Sequence, residues 1–278
     1  MAANKKPLLT NAARPATFEV EAYNERGEMV PTSVAGEHPL TLYLDKREIV
    51  TLMTLGHAPE ALAIGYLRNQ RLADTVDDIA AVQVDWETNS VAITTHSKKA
   101  IPSLDKKTVT SGCGQGTVFG DLMEEIDSIR LRNDVSLTDS DLFVLIEKVR
   151  KHETIYKQAG AVHGCALATT AGEILMFVED VGRHNAVDAI AGFMWLDAID
   201  GSDKVFYTTG RLTSEMVIKC AQMRIPFLVS RSGLTQMGHE IARKVGITML
   251  GRASGRHYLL FTGKERLVKT APQPTALA

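Results

Sequence analysis

The sequence predicts an α/β protein: a strand-rich α+β N-terminal domain followed by a three-layer α/β domain. Two rhythms carry that reading. Up to about residue 100 the chain runs in short alternating stretches between turn residues, with one helical segment, the mark of an α+β unit. Past residue 180, strands alternate with helical stretches of about ten residues, which sets parallel strands side by side under helices. Composition agrees: 278 residues, 45% hydrophobic and 23% charged, make one large domain or two modest ones.

Taken in order, residues 1–15 are polar or Pro/Ala-rich and read as disordered, as does the tail, 269–278. The N-terminal domain spans 16–107. Within it Thr17 to Tyr23 alternates as a strand and turns at Asn24 to Gly27. Leu40 to Leu44 and Ile49 to Met53 are strands about Asp45-Lys46. Pro59 sits where a missing N–H costs nothing, at the start of a helix through Leu67. Val82 to Trp86 and Val91 to Thr95 form a hairpin.

Residues 108–136 are read as a cysteine-bearing loop and a connecting helix, and 137–268 as the α/β domain. Thr138 and Asp141 form a capping box before Leu142, Leu145, Ile146 and Val149 at helical spacing. Strands follow at Ala166 to Thr170 and Ile174 to Val178, then at Val205 to Thr209, Phe227 to Ser230 and Ile247 to Leu250. The intervening helices run Asn185 to Leu196, Ser214 to Met223 and Thr235 to Val245.

Charge and composition narrow the function. A net charge of −2 argues against a broad nucleic-acid surface. No run approaches the ~18 apolar residues of a membrane span, and the N-terminus lacks a secretory signal's apolar core, so a cytoplasmic protein is expected. Cys113, Cys165 and Cys220 are far apart and form no Cys-x-x-Cys pair, so neither a disulfide framework nor a structural metal site is expected.

Cys113 stands apart. It sits in Thr110-Ser111-Gly112-Cys113-Gly114-Gln115-Gly116-Thr117, where small residues clear bulk from around the sulfur and suit a thiol that must be reached. Cys165 and Cys220 fall in apolar-patterned elements and read as packing residues. His163 reads as a core histidine or a site residue.

Four Gly/Arg-rich segments follow strands. Asp180-Val181-Gly182-Arg183-His184-Asn185 lies at a strand–helix junction, where free N–H groups favour anions; Asp180 orients His184 or caps the helix. Thr209-Gly210-Arg211 and Ser230-Arg231-Ser232-Gly233 end two more strands. Open α/β sheets bind ligands at the carboxyl ends of their strands, and this chemistry suits phosphates. Gly251 to His257 supplies a further basic loop.

Together Glu37-His38-Pro39-Leu40, Thr110 to Gly114, Asp180 to Ala186, Gly210-Arg211 with Glu215-Met216, and Gly251 to His257 resemble the formate dehydrogenase accessory sulfurtransferase family, over residues 17 to 267. The resemblance implies a cytidine-deaminase-like α/β/α fold, without the His-x-Glu and Pro-Cys-x-x-Cys of zinc deamination. It implies a sulfur carrier and sulfurtransferase. A persulfide on Cys113, formed from a cysteine desulfurase, passes to the molybdenum cofactor (Mo-bis-molybdopterin guanine dinucleotide) required by the formate dehydrogenase catalytic subunit. It maps cofactor binding onto Arg252, Ala253, Ser254, Gly255, Arg256 and His257, with Arg183, His184, Arg211 and Arg231 as further contacts. It also implies a homodimer, with no nucleic-acid or membrane partner. Many members carry Cys-x-x-Cys in the loop; here Gly116 takes the second position. A non-catalytic chaperone for the cofactor and a cysteine hydrolase using Cys113, His184 and Asp180 stand as alternatives.

Overall fold

The computed structural model describes residues 6–97, 108–109, 116–117, 126, 128–152 and 154–270. The N-terminal part runs through β1 (Leu8–Leu9), β2 (Thr17–Tyr23), β3 (Met29–Ala35), β4 (His38–Leu44), β5 (Arg47–Thr54), α1 (Pro59–Asn69), β6 (Ile79–Asp85) and β7 (Ser90–Thr95). Five of these strands make one sheet in the order β1-β6-β7-β4-β5. The strands β2 and β3 pair separately as an antiparallel ribbon.

Residues 6–15 are ordered, which corrects the expectation of a disordered lead. The strand β1 pairs with β6, and the buried carboxylate of Glu60 accepts from Thr10 Oγ1 at 2.9 Å and the Ala12 amide at 2.8 Å. The Arg14 guanidinium lies 4.8 Å over the Trp86 ring. Hydrogen bonds and a cation–π contact thus hold a segment whose composition alone carries little apolar drive.

Two short strands, β8 (Thr108–Val109) and β9 (Gly116–Thr117), pair antiparallel with Val109 opposite Gly116. They bracket residues 110–115. Cys113 itself, and the helix expected after Val118, lie outside the described residues.

The second part continues with β10 (Leu137–Thr138), α2 (Asp139–His152), α3 (Ile155–Ala159), β11 (His163–Thr169), β12 (Ile174–Asp180), α4 (Arg183–Leu196), β13 (Lys204–Thr208), α5 (Ser214–Gln222), β14 (Phe227–Ser230), α6 (Gln236–Val245), β15 (Thr248–Ser254), β16 (His257–Thr262) and β17 (Leu267–Val268). Thr138 starts α2 as the capping pattern requires, accepting from the Asp141 amide at 3.1 Å and donating to its carboxylate at 2.6 Å.

The main sheet has the order β12-β11-β13-β14-β15-β16. The strands β13, β14 and β15 are mutually parallel, as the strand–helix rhythm predicts, while β11 and β16 run antiparallel to their neighbours. Alternate residues face opposite layers. Cys165, Leu167, Phe206, Leu228 and Met249 join the core formed with α1, α4, α5 and α6. Ala166, Ala168, Val205, Tyr207, Phe227 and Val229 pack with Leu142, Leu145, Ile146 and Val149 of α2. The domain is the three-layer α/β/α arrangement read from the sequence.

The two parts share one core. The helices α1 and α4 cross at Gly65 and Gly192: a Cβ on Gly65 would lie 1.6 Å from the Asp188 carbonyl oxygen, and one on Gly192 1.9 Å from that of Ala61. Only glycine permits backbones this close. The crossing fixes the N-terminal sheet over the start of α4, where the candidate site lies.

Candidate functional site

The carboxyl ends of β13 and β14 and the neighbouring end of β12 carry the basic segments. Their loops are laced together. Ser230 Oγ donates to the Gly210 carbonyl at 2.6 Å and accepts from the Ser232 amide at 2.9 Å. The Leu212 amide donates to the Gly233 carbonyl at 3.0 Å, and the Arg252 amide to that of Ser232 at 2.9 Å. These bonds tie the loops after β13 and β14 to each other and to the strand that contains Arg252, as a preorganised anion site requires.

Arg183, Arg211 and Arg231 all lie near enough for their charges to act on His163. Burial lowers the His163 pKa below its usual value, and the fields of Arg183, Arg231 and Arg211 lower it further. Its Nδ1 lies 3.3 Å from Thr209 Oγ1, which also accepts the Gly164 amide at 3.0 Å. The outcome for His163 is a place in the cation cluster, which its sequence context left open. Arg183 is 4% exposed, so it is no solvated surface charge. Its stem runs against Gly210, where a Cβ would lie 2.6 Å from Arg183 Cδ. The Arg231 guanidinium lies 5.0 Å over the Tyr156 ring, and Arg211 is exposed.

Carboxylates near this cluster are turned onto other donors. Glu179 accepts the amides of Thr154, Ile155 and Tyr156 at 3.0–3.1 Å, capping α3. Asp180, 6% exposed, accepts from Thr54 Oγ1 at 2.6 Å, the Leu55 amide at 3.3 Å, the Gly182 amide at 3.1 Å and Asn185 Nδ2 at 2.8 Å. The expectation that Asp180 orients His184 is thus corrected: those donors occupy it.

The partner of His184 is instead Glu215, whose Oε2 lies 3.4 Å from Nε2. His184 is 2% exposed, and its pKa is pushed down to about 2, by burial first and then by Lys219, Arg183, His163 and Arg211. The expectation that His184 adds positive charge is therefore also corrected. The carboxylate beside Nε2 assigns the proton to that nitrogen. Nδ1 is then a buried acceptor with no hydrogen-bond partner among the described residues. Behind it, Lys219 Nζ lies 2.8 Å from Asp188 Oδ2 and 3.7 Å from Glu215 Oε1, while Asn69 donates to Asp188 Oδ1 at 2.6 Å.

The segment Arg252 to His257 is a hairpin rather than the basic loop expected. Arg252, Ala253 and Ser254 belong to β15, Gly255 and Arg256 make the turn, and His257 opens β16. Period-2 alternation resumes after the turn in His257–Thr262, a signal masked by its small and basic lead-in. Ala253 is buried, while Arg252 and Arg256 are exposed; Arg252 joins the crevice frame through its backbone.

Cys165 and Cys220 are fully buried. Burial pushes the Cys165 thiol up to about 12 and raises that of Cys220 as well, so neither is a ready nucleophile. No helix among the described residues is long and apolar enough to cross a membrane.

Known proteins are similar to this chain in sequence and in fold. Two curated relatives are called sulfur carrier protein FdhD. That of Listeria innocua is 29% identical over 254 residues, covering 90% of this chain and 95% of the relative. That of Sulfurisphaera tokodaii is 31% identical, covering 88% and 95%. A crystal structure from Desulfotalea psychrophila, described as a formate dehydrogenase accessory protein, superposes with a TM-score of 0.76 at 26% identity, covering 91% of this chain and all of that one. Residues 35–268 match the FdhD/NarQ family, and the chain belongs to it.

Proposed function

We propose that this protein is a sulfur carrier for formate dehydrogenase maturation, with Cys113 as its persulfide-bearing residue. Family membership and the relatives' printed names support the carrier role. The observation that carries the reading is the joint action of the Arg183, Arg211 and Arg231 charges on His163 over a laced frame of strand-end loops. Such a crevice suits the phosphates of a large nucleotide-bearing substrate, the bis-guanylate molybdenum cofactor.

In the first step the Cys113 thiolate attacks the outer sulfur of a cysteine desulfurase persulfide. A new S–S bond forms at Cys113, and the donor cysteine leaves as a thiolate. In the second, an electron pair of the acceptor takes that sulfur and Cys113 leaves as a thiolate. The arginines neutralise and orient the substrate phosphates, and Thr209 and Ser230 hold the loops that carry them. One thiol suffices for such a relay, so Gly116 in place of a second cysteine is compatible with transfer. Burial of Cys165 and Cys220 supports Cys113 as the sulfur acceptor.

The test is intact mass after incubation with a desulfurase and cysteine. Wild type gains one sulfur, about 32 Da, and Cys113→Ala does not. A wild type without the adduct, or an adduct that survives Cys113→Ala, removes the carrier chemistry. Formate dehydrogenase maturation retained by Cys113→Ala would favour a cofactor-binding chaperone instead.

A further inference from the structure

The carboxylate of Asp180 divides its two oxygens between the two parts of the molecule. Oδ2 accepts from Thr54 Oγ1 at 2.6 Å and the Leu55 amide at 3.3 Å, both at the end of β5 in the N-terminal sheet. Oδ1 accepts from the Gly182 amide at 3.1 Å and Asn185 Nδ2 at 2.8 Å, both at the start of α4. Asn185 Nδ2 returns across the junction to the Met53 carbonyl at 2.6 Å. Thr54 Oγ1 in turn accepts the Gly56 amide at 3.2 Å, which tightens the turn after β5.

We propose that Asp180 is a positioning residue, a latch through which the N-terminal sheet sets the place of Arg183 in the crevice. Arg183 is the first residue of α4, immediately after Gly182. Its stem has little freedom, because it lies where a Cβ on Gly210 would come within 2.6 Å of Cδ. A shift of the Gly182 turn therefore moves the guanidinium rather than being absorbed by a rotamer. The residue must be a carboxylate. Four donors converge on it, two on each oxygen, and an asparagine of the same shape would point an NH2 group at one donor pair. A residue that only filled space would be replaced by asparagine without loss. The latch belongs to the described geometry; its consequence for binding rests on the reading that the crevice takes phosphates.

Two measurements on the full chain separate these points. The first is amide hydrogen exchange without ligand. Thr54→Val and Asp180→Asn are expected to speed exchange at residues 182–186 by about tenfold, while β13 and β14 stay protected. Thr54→Val is the decisive variant, since it removes one donor in the other sheet and leaves Asp180 three. An effect of Thr54→Val confined to residues 52–56 would overturn the latch, whether or not Asp180→Asn folds. The second is calorimetric binding of guanosine diphosphate, a fragment of the proposed substrate. Thr54→Val is expected to weaken it, and Asp180→Asn to weaken it by about tenfold or more. Unchanged affinity in a folded Asp180→Asn protein would overturn the positioning role. A wild type that binds no guanosine diphosphate would remove the crevice reading of the proposed function, and exchange would still judge the latch.

Discussion

Two clusters of charge meet at consecutive residues of α4, and they handle burial in opposite ways. On the Arg183 side, three guanidinium groups act on His163, and the nearby carboxylates of Glu179 and Asp180 accept from other donors. On the His184 side, Asp188, Lys219 and Glu215 bring both signs together in a site with almost no exposure. The first cluster gathers like charges, whose fields all act on one imidazole. The second pairs Lys219 with Asp188 and serves to hold α4, α5 and Asn69 of α1 in register.

The comparison breaks most visibly at Lys219. Lys219→Met would strand the Asp188 carboxylate, fully buried, with Asn69 as its remaining described partner. The expected loss is about 3–5 kcal/mol, read as a lower midpoint in urea. Adding Asp188→Asn should recover part of it by removing the stranded charge. A Lys219→Met protein as stable as wild type would mean that the Lys219–Asp188 pair does not hold these helices together.

A smaller effect tests His184. Its folded pKa is about 2, against 6.5 when unfolded. Between those values the unfolded chain binds the extra proton, so stability is complete above about pH 6.5 and falls as the solution is acidified. The slope approaches about 1.4 kcal/mol per pH unit below pH 6.5 from this group alone. Burial shifts Asp180 and Asp188 upward, which acts in the opposite direction at lower pH, and depressed His163 adds to the loss. The difference between wild type and His184→Gln isolates the histidine: the variant should lose less stability from pH 7.5 to 5.5. Equal slopes would show that His184 titrates alike in the folded and unfolded states.

The two clusters were unequally legible. Strand-end Gly/Arg segments exposed the cation cluster to sequence reading because each is local: Gly210-Arg211 and Ser230-Arg231 announce themselves within a few residues. The parallel strands and amphipathic α2 were legible for the same reason, since their periodicities are short-range. The buried ion-pair network was not. Asn69, Asp188, Glu215 and Lys219 come from three helices and carry no shared motif, and only the close crossing at Gly65 and Gly192 brings α1 to α4. Asp180 was assigned the neighbour nearest in sequence, His184, whereas its strongest donor, Thr54, is more than a hundred residues away. The ordered 6–15 segment was missed because side-chain and backbone hydrogen bonds leave little trace in hydrophobic pattern.

The smallest expected change in stability is the sharpest test of the contrast. Arg211 is exposed, so truncating it removes neither core packing nor a buried counter-charge. Arg211→Ala should leave stability within about 0.5 kcal/mol of wild type. Yet its field reaches His163, so it belongs to the cluster to which the proposed function assigns the phosphates. Losing one charge-assisted hydrogen bond to phosphate costs about 1.5–3 kcal/mol of binding, roughly a ten- to hundredfold weaker hold on guanosine diphosphate. Lys219→Met is the mirror case, with a large loss of stability and, in whatever fraction stays folded, phosphate contacts intact. Should Arg211→Ala bind as tightly as wild type, the crevice would be confined to Arg183 and Arg231, and the field at His163 would no longer mark the ligand's outline.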